Sequence, residues 1–224
     1  MKRSVVGALL CSTIVMLSQA ACTQSRAGNE LSKAEGIRVV RNILSNAKTS
    51  GSVEYSGRCD FGQQDFPNAQ IPAKQSASSA VDLLNDVFRR DPKMRIWQDA
   101  NGNVRMAEKN VPQDLLSVRI SHLVFNDNYL HGDASYHPWD ALQAVLETPE
   151  VSGYMRSNRI SSPTQVVPGM RPVPSPTLPH LSGELDNVTV SEALDSILKI
   201  FPGLWIYQDC EGADRRRMVL FSIQ

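Results

Sequence analysis

AVDLLNDVFRRDPKMRIWQDANG, residues 80–102, returns in altered form as VSEALDSILKIFPGLWIYQDCEG, residues 190–212. The two stretches align without a gap, and a Pro, an Ile, a Gln-Asp pair and a Gly fall in the same register in both. Short amphipathic segments that resemble each other by chance would not keep these residues in register. The repeat therefore predicts one structural unit used twice.

Each copy predicts a helix followed by a β-hairpin. In the first copy, apolar residues recur at helical spacing over 80–88, and Pro92 ends the helix because it lacks the N–H of a continuing turn. Residues 94–98 then predict a strand, Asn101-Gly102 a tight turn in which both residues tolerate positive φ, and residues 104–106 the returning strand.

The second copy and two upstream runs complete the predicted fold. Alternating apolar residues indicate further strands at 52–58 and 117–125. A weaker third copy of the helix lies at 139–146. The second copy itself predicts a helix at 191–200, a strand at 204–208, a turn at Glu211-Gly212, and a strand at 218–223 with both faces buried. We expect an α+β fold of small repeated β-α-β-β modules with short mixed or antiparallel sheets.

Two segments that overlap the starts of the repeats resemble a known family. IPAKQSASSAVDLL (71–84) and LSGELDNVTVSEALDSIL (181–198) are similar to the short N-terminal module of secretins and TonB-dependent receptors. That module has an Ile-Pro-Ala-Gln-like strand, an Ala-Leu helix, a Gly-containing strand and a Val-x-x-Ala-Leu helix. The matching residues are Ile71, Pro72, Ala73, Gly183, Val190, Ala193 and Leu194. The resemblance implies a periplasmic protein–protein module without catalytic residues.

The N-terminus has the three parts of a secretion signal. Lys2 and Arg3 precede an uncharged apolar run over 4–17, and small residues follow at 18–21. The apolar run is shorter than the roughly 20 residues that span a bilayer, so we expect residues 1–21 to be a cleaved signal peptide and not a retained anchor.

The cleavage site decides whether the mature chain carries a lipid. The stretch LSQAAC, which ends at Cys22, resembles the lipobox of bacterial lipoproteins, although Gln19 stands where an aliphatic residue is usual. Cleavage after Ala21 would leave Cys22 as a lipidated N-terminus. Cleavage after Ala20 would instead leave an odd number of thiols in an oxidising compartment.

The cleavage site also determines the expected state of each cysteine. Cys11 is lost with the signal peptide, and Cys22 is the predicted lipidation site. Cys59 and Cys210 are then left as a pair, and in an exported protein we expect a disulfide between them. The alternative is two unpaired buried thiols.

The mature chain divides by composition. We expect a polar tether at 22–29, an α+β region with an N-terminal helix and the first module at 30–160, and a stiff connector with six prolines at 161–179. Residues 180–224 form the second module, which we expect to pack on the first. The N-terminal helix is predicted from apolar spacing over 30–47, weakened by Gly36.

Charge and motifs favour an interaction role. Lys and Arg together number 23, as do Asp and Glu, so no net field attracts nucleic acid. The sequence contains no P-loop, G-x-S-x-G, H-E-x-x-H or C-x-x-C pattern. We therefore expect a periplasm-facing cell-envelope lipoprotein, tethered by a lipid on Cys22, that binds another envelope protein by strand addition or helix docking.

Two other functions stay open at this stage. HGDASYH (131–137) places Asp133 between two His, so an envelope hydrolase or metal enzyme centred on 122–137 is the first alternative. No helical spacing aims these side chains together, which favours ordinary loop histidines. The second alternative is a glycan- or peptidoglycan-binding module that stacks sugars on Trp97, Trp139 or Trp205, although core or half-buried packing is the expected role of Trp97 and Trp205.

Charged clusters have structural interpretations. Asp99, Asp209, Glu211 and Asp214 lie at predicted turns, where carboxylates bond the local backbone, so we favour turn chemistry over acid–base catalysis. The run Arg215–Arg217 could contact an anionic partner, but at the start of a strand such charges typically discourage edge pairing.

Overall fold

The protein is described by a computed structural model that covers residues 31–60, 63–64, 66–73, 79–125, 137–162, 179–212 and 216–224. Its helices and strands confirm the α+β class. The predicted signal peptide, the tether with Cys22, most of the proline-rich connector and residues 126–136 lie outside the described residues.

The elements follow the sequence predictions closely along both repeats. In chain order they are α1 (Lys33–Asn46), β1 (Gly51–Asp60), β2 (Gln63–Gln64), α2 (Ala80–Val87), β3 (Met94–Gln98), β4 (Val104–Glu108), β5 (Arg119–Phe125), α3 (Pro138–Glu147), α4 (Pro149–Ser157), β6 (Gly183–Thr189), α5 (Val190–Ile200), β7 (Leu204–Glu211) and β8 (Arg217–Ile223).

A six-stranded mixed sheet organises the fold. Its strands lie in the order β3-β4-β1-β7-β8, and β2 pairs with the end of β1. The central strand β1 runs parallel to both β4 and β7, while the hairpins β3-β4 and β7-β8 are antiparallel. A separate two-stranded antiparallel sheet joins β5 to β6.

Helices cover the six-stranded sheet on both faces. On one face, Val53, Met106 and Ile206 pack with residues of α1 and α2. On the other face, Trp205 and Tyr207 pack with α3 and α5. The two apolar clusters meet only through the sheet, which gives three layers.

The two repeats share one sheet instead of each forming its own. β7 pairs with β1 from Gly51↔Leu204 to Arg58↔Glu211, so the region predicted as a second module completes the sheet of the first. The helices α2 and α5, which are equivalent in the repeat, lie on opposite faces of that sheet. The strand before α5 also differs from the expected β-α-β-β unit, because β6 pairs with β5 and not with the main sheet.

The predicted disulfide joins the central strand β1 to the second repeat. Cys59 on β1 and Cys210 on β7 are bonded, with 5.5 Å between their Cα atoms and 151 residues between them in sequence. Closing so long a loop removes conformational freedom from the unfolded chain, which the chain-entropy model values at roughly 5 kcal/mol at most.

Both hairpin turns differ in detail from the prediction. At the first, Gly102 alone takes positive φ, 84°, and Asp99 N–H bonds Asn103 O, so the loop is a type I turn followed by a left-handed Gly and not a two-residue turn. At the second, Glu211 still pairs with Arg217, so β7 extends past the expected end at Gln208.

Gly36 has a packing role in the predicted N-terminal helix. A Cβ atom at this position would lie 2.7 Å from Cε1 of Phe66, so only Gly lets the helix approach that ring. The helix is also well capped, since Ser32 and Glu35 form a reciprocal capping box. These interactions offset the low helix propensity of Gly.

Candidate interaction site at the sheet edge

One edge of the main sheet, along β8, is partly covered by the chain itself. Ser161 N–H bonds Arg217 O at 3.1 Å, and Val219 N–H bonds Ser161 O at 2.9 Å. This short parallel bridge occupies the outward backbone groups at the start of β8. A second strand could not pair there without displacing Ser161.

The two-stranded sheet is also protected. A carboxylate oxygen of Glu150, at the start of α4, accepts a hydrogen bond from Ser121 N–H of β5 at 3.0 Å. On β6, Glu184 and Asp186 are exposed, and acidic side chains along an edge discourage pairing with another chain.

β3 forms the other edge of the main sheet, and no other described segment pairs with its outer side. Among the described strands it pairs with β4 alone. Asp99 N–H bonds Asn103 O and Lys109 N–H bonds Lys93 O, which fixes the alternation of the ladder. In an antiparallel pair, every second residue turns its N–H and C=O away from the partner strand. In β3 these residues are Met94, Ile96 and Gln98. Met94 N–H already bonds Asp91 O, whereas the backbone groups of Ile96 and Gln98 point outward from the sheet.

The direction of Val104 supports this assignment. Val104 is the residue opposite Gln98 on β4, and its N–H bonds Ser50 O at 2.9 Å, on the β1 side. It therefore turns away from β3, as a non-hydrogen-bonded pair requires.

A tryptophan lies exposed on this edge strand. Trp97 is 44% exposed, while Ile96, on the opposite face of β3, is half-buried. Exposed Trp side chains are frequent anchors at protein interfaces. The prediction that Trp97 packs in the core or half-buried is wrong, whereas it is confirmed for Trp205, which is 1% exposed.

Basic side chains accompany Trp97. Arg95 and Trp97 alternate along β3 and so project from one face of the edge. Lys93 lies in the turn just before the strand, where its C=O accepts a bond from Lys109 N–H, and both Lys93 and Arg95 are exposed. Neither forms an ion pair or side-chain hydrogen bond within the described residues. The nearby Asp91 instead accepts bonds from Asn68 N–H and Lys93 N–H, both at 3.1 Å.

A buried ionic cluster backs the edge. Arg105 on β4, directly opposite Trp97, bonds Asp99 at 2.9 Å and also pairs with Asp195 of α5. Asp195 accepts a further bond from the Trp205 indole N–H at 2.9 Å, and the Arg105 guanidinium lies 5.7 Å from the centre of the Trp205 ring. The cluster ties β4 to α5 and holds the hairpin that carries Trp97.

Two polar residues of β1, Ser52 and Glu54, lie beside this cluster on the same face of the sheet. Ser52 lies in register between Arg105 and Trp205, and its hydroxyl donates to the Glu54 carboxylate at 3.1 Å. Gln113 donates to the other Glu54 oxygen at 2.7 Å. Burial raises the pKa of the Glu54 carboxyl above its ordinary value. Such a network is complete within the fold, so we assign it a structural role.

A second cluster surrounds Arg217. Its guanidinium bonds Asp209 at 2.7 Å and Asp114 at 2.6 Å, and the Tyr154 hydroxyl also donates to Asp114 at 2.8 Å. The bond from Arg217 holds the pKa of the Asp114 carboxyl well below its usual range. Of the predicted Arg215–Arg217 cluster, Arg217 is thus engaged internally, Arg216 is exposed, and Arg215 lies outside the described residues.

The predicted histidine loop lies only partly within the described residues. His131 and Asp133 lie outside the described residues. His122 is exposed and pairs with Asp186 at 2.6 Å, and the ring of His137 accepts a bond from Trp139 N–H at the start of α3. Within the described ranges, no group of three or more His, Cys, Asp or Glu is arranged to hold a metal.

A difference between the two repeats indicates in the sequence which strand forms the edge. β3 and β7 are equivalent, but Arg95 stands where β7 has Trp205. Trp205 packs under α5, whereas Arg95 projects into solvent. A charged residue at a position that its repeat fills with a buried Trp indicates that the first copy leaves that face uncovered.

Comparison with protein-family models, with curated proteins and with solved structures found no match. The resemblance to the secretin and TonB-receptor module therefore stays a prediction. Within the described part of the chain, no helix combines the length and apolar character needed to cross a membrane.

Proposed function

We propose that this protein is an exported cell-envelope lipoprotein that binds another envelope protein by accepting one of its strands on β3. The observation that carries the proposal is the open edge: the backbone of Ile96 and Gln98 faces outward beside the exposed Trp97. Strand addition uses such an edge for affinity and the alternate side chains for specificity.

The export half of the proposal is supported by sequence and by the disulfide. The signal at residues 1–21 directs the chain out of the cytoplasm, and Cys22 provides a lipidation site. The Cys59–Cys210 bond is typical of an oxidising compartment.

The state of the other edges supports the choice of β3. Ser161 occupies the start of β8, and Glu150 occupies part of β5. Among the described residues, no hydrogen bond occupies the outward backbone groups of Ile96 and Gln98, so a partner strand could pair with them. Lys93 and Arg95 would repel a second copy of the same edge, which favours a different protein as the partner.

A photoreactive side chain next to the edge tests the proposal. We expect a photo-crosslinker at Ala100, an exposed residue of the hairpin turn, to capture one envelope protein when the full chain is exported in cells. The same crosslinker at Arg41, exposed on α1, should not capture that protein.

Two variants of Gln98 give a matched comparison. Gln98→Pro removes the outward N–H and the side-chain bond to Gly102 O, whereas Gln98→Ala removes only the side-chain bond. We expect Pro to abolish the crosslink and Ala to retain it. Equal crosslinking in the two variants would show that β3 does not receive a strand.

A second candidate function is favoured by the exposure of Trp97. An exposed indole can stack on a sugar ring, so the protein could bind peptidoglycan glycan. Pull-down on isolated cell wall separates the two candidates. Glycan binding should depend on Trp97 and be unaffected by Gln98→Pro, because stacking needs no outward backbone N–H.

A further inference from the structure

We infer that the segment received by β3 is an amphipathic strand that places acidic side chains opposite Lys93 and Arg95 and a large apolar side chain opposite Trp97. The inference rests on the proposed function and specifies the chemistry of the partner. It follows from the order of side chains on the two faces of the edge.

The face of the edge that carries Arg95 and Trp97 determines which charges the partner strand should have. Arg95 and Trp97 project from one face of β3 because side chains alternate along a strand. Lys93 lies one residue before the strand, and its C=O accepts a bond from Lys109 N–H, so the ladder and its alternation continue to it. An added strand brings its own side chains directly opposite them, where opposite charges attract and like charges repel. Two acidic residues followed at the next alternate position by an apolar residue therefore complement this face.

The opposite face of the edge, which carries Met94 and Ile96, determines where the partner strand should have apolar residues. Met94 and Ile96 are half-buried and pack against the cluster beneath α1 and α2. Residues of the added strand that point to this side would extend the same apolar surface. The partner segment thus alternates acidic and apolar side chains, with the large apolar residue at the end that lies beside Trp97.

The basic groups are available to such a partner. Within the described residues, the acidic groups nearest in sequence are used elsewhere, since Asp91 bonds backbone N–H groups and Asp99 pairs with Arg105. Lys93 and Arg95 keep their charges in solvent. Because the net charge is balanced, the chain as a whole exerts no net attraction for acidic groups, and the proposed attraction comes from Lys93 and Arg95 themselves.

Synthetic peptides of defined pattern test the inference on the purified mature chain with its disulfide intact. Glu-Val-Glu-Val-Phe and its reverse, each flanked by Ser and Gly, cover both strand directions, and peptides with Lys in place of Glu are their controls. We expect one Glu peptide to bind at least about fivefold more tightly than its Lys control, from the size of a cross-strand charge pair. Added salt should reduce the difference.

A charge exchange makes the test specific. Arg95→Glu leaves one charge of each sign and should cancel the preference, and the double variant Lys93→Glu/Arg95→Glu should reverse it so that the Lys peptide binds more tightly. Arg41→Glu on α1 should leave the preference unchanged. Gln98→Pro should abolish binding of both peptides, which confirms that they pair with the backbone.

The outcomes separate this inference from the proposed function. Equal binding of Glu and Lys peptides, with the Pro-sensitive crosslink at Ala100 retained, would overturn the acidic partner and leave strand addition standing. Binding to vesicles of anionic phospholipid but to neither Glu peptide would overturn it in favour of a membrane surface. Loss of the crosslink together with failure of both peptides would overturn both proposals.

Discussion

Lys33 illustrates how burial changes the chemistry of one residue. Its ammonium group donates to Gln208 Oε1 at 3.2 Å, and the Tyr55 hydroxyl donates to the same oxygen at 2.9 Å. Burial lowers the pKa of Lys33 from 10.5 to about 8. The folded protein therefore loses this proton at a lower pH than the unfolded chain does.

The lowered pKa of Lys33 makes the free energy of unfolding depend on pH. Between pH 8 and 10.5 the unfolded chain holds the Lys33 proton and the folded protein does not, so the free energy of unfolding rises with pH across this window. We expect Lys33→Met to remove that rise, about 1–2 kcal/mol after allowance for solvent screening. Denaturant titrations at both ends of the window measure it.

An exposed lysine provides the control. Lys199→Met on α5 should leave the pH dependence as it is in the wild-type protein. A Lys33→Met protein that retains the full rise would show that Lys33 is not the group responsible.

At the same scale, alternation of residue type predicts strands better than it predicts burial. Val53 and Tyr55 mark β1, and on that pattern Ser52 and Glu54 would face water. Instead all four are buried, because Arg105 and Gln113 provide polar partners on the other face. A sequence pattern cannot distinguish solvent from a polar partner distant in the chain.

At the scale of elements, the helices and strands of the repeats were largely predictable. β3 occupies the predicted residues 94–98, and α5 begins one residue before its predicted start. Local signals suffice here, because apolar spacing marks α2 and a left-handed Gly closes the first hairpin, although α2 ends at Val87, before the predicted stop at Pro92. The end of β7 was missed because it depends on pairing with β8, which continues to Arg217.

Position within the sheet separates two strands that the sequence makes alike. β3 and β7 share their hydrophobic pattern, yet β7 lies inside the sheet with neighbours on both sides and β3 lies at its edge. Which strand becomes the edge depends on β1, which pairs with β4 of one hairpin and β7 of the other. Hydrophobic periodicity does not show which of the two strands becomes the edge strand. The main indication in the sequence is Arg95, a charged residue at the position where β7 has Trp205.

At the scale of the whole molecule, the two repeats form a single compact unit over residues 31–224. The sequence predicted two packed modules because it shows similarity along the chain and not pairing between strands. The disulfide was predictable by counting, since the predicted removal of Cys11 and lipidation of Cys22 would leave one pair. Its place across β1 and β7 shows that it fastens the shared sheet.

The mass of the mature protein tests the exported state. We expect a chain that begins at Cys22, carries a lipid there, and gains the mass of two hydrogens on reduction of the Cys59–Cys210 bond. Mass spectrometry of protein isolated from the envelope, before and after reduction, reports all three features. An unmodified chain that begins at Ala21 would contradict the proposed lipid anchor. An uncut chain would contradict the proposed export.

Backbone hydrogen exchange along β3 tests the central claim most directly, because it observes the hydrogen bonds that strand addition creates. In the free protein, the amides of Arg95 and Trp97 should be protected by β4, while those of Ile96 and Gln98 exchange quickly. On addition of the purified partner captured at Ala100, the account predicts strong protection of Ile96 and Gln98 with Arg95 and Trp97 unchanged. A complex in which the Ile96 and Gln98 amides still exchange as fast as in the free protein would contradict it.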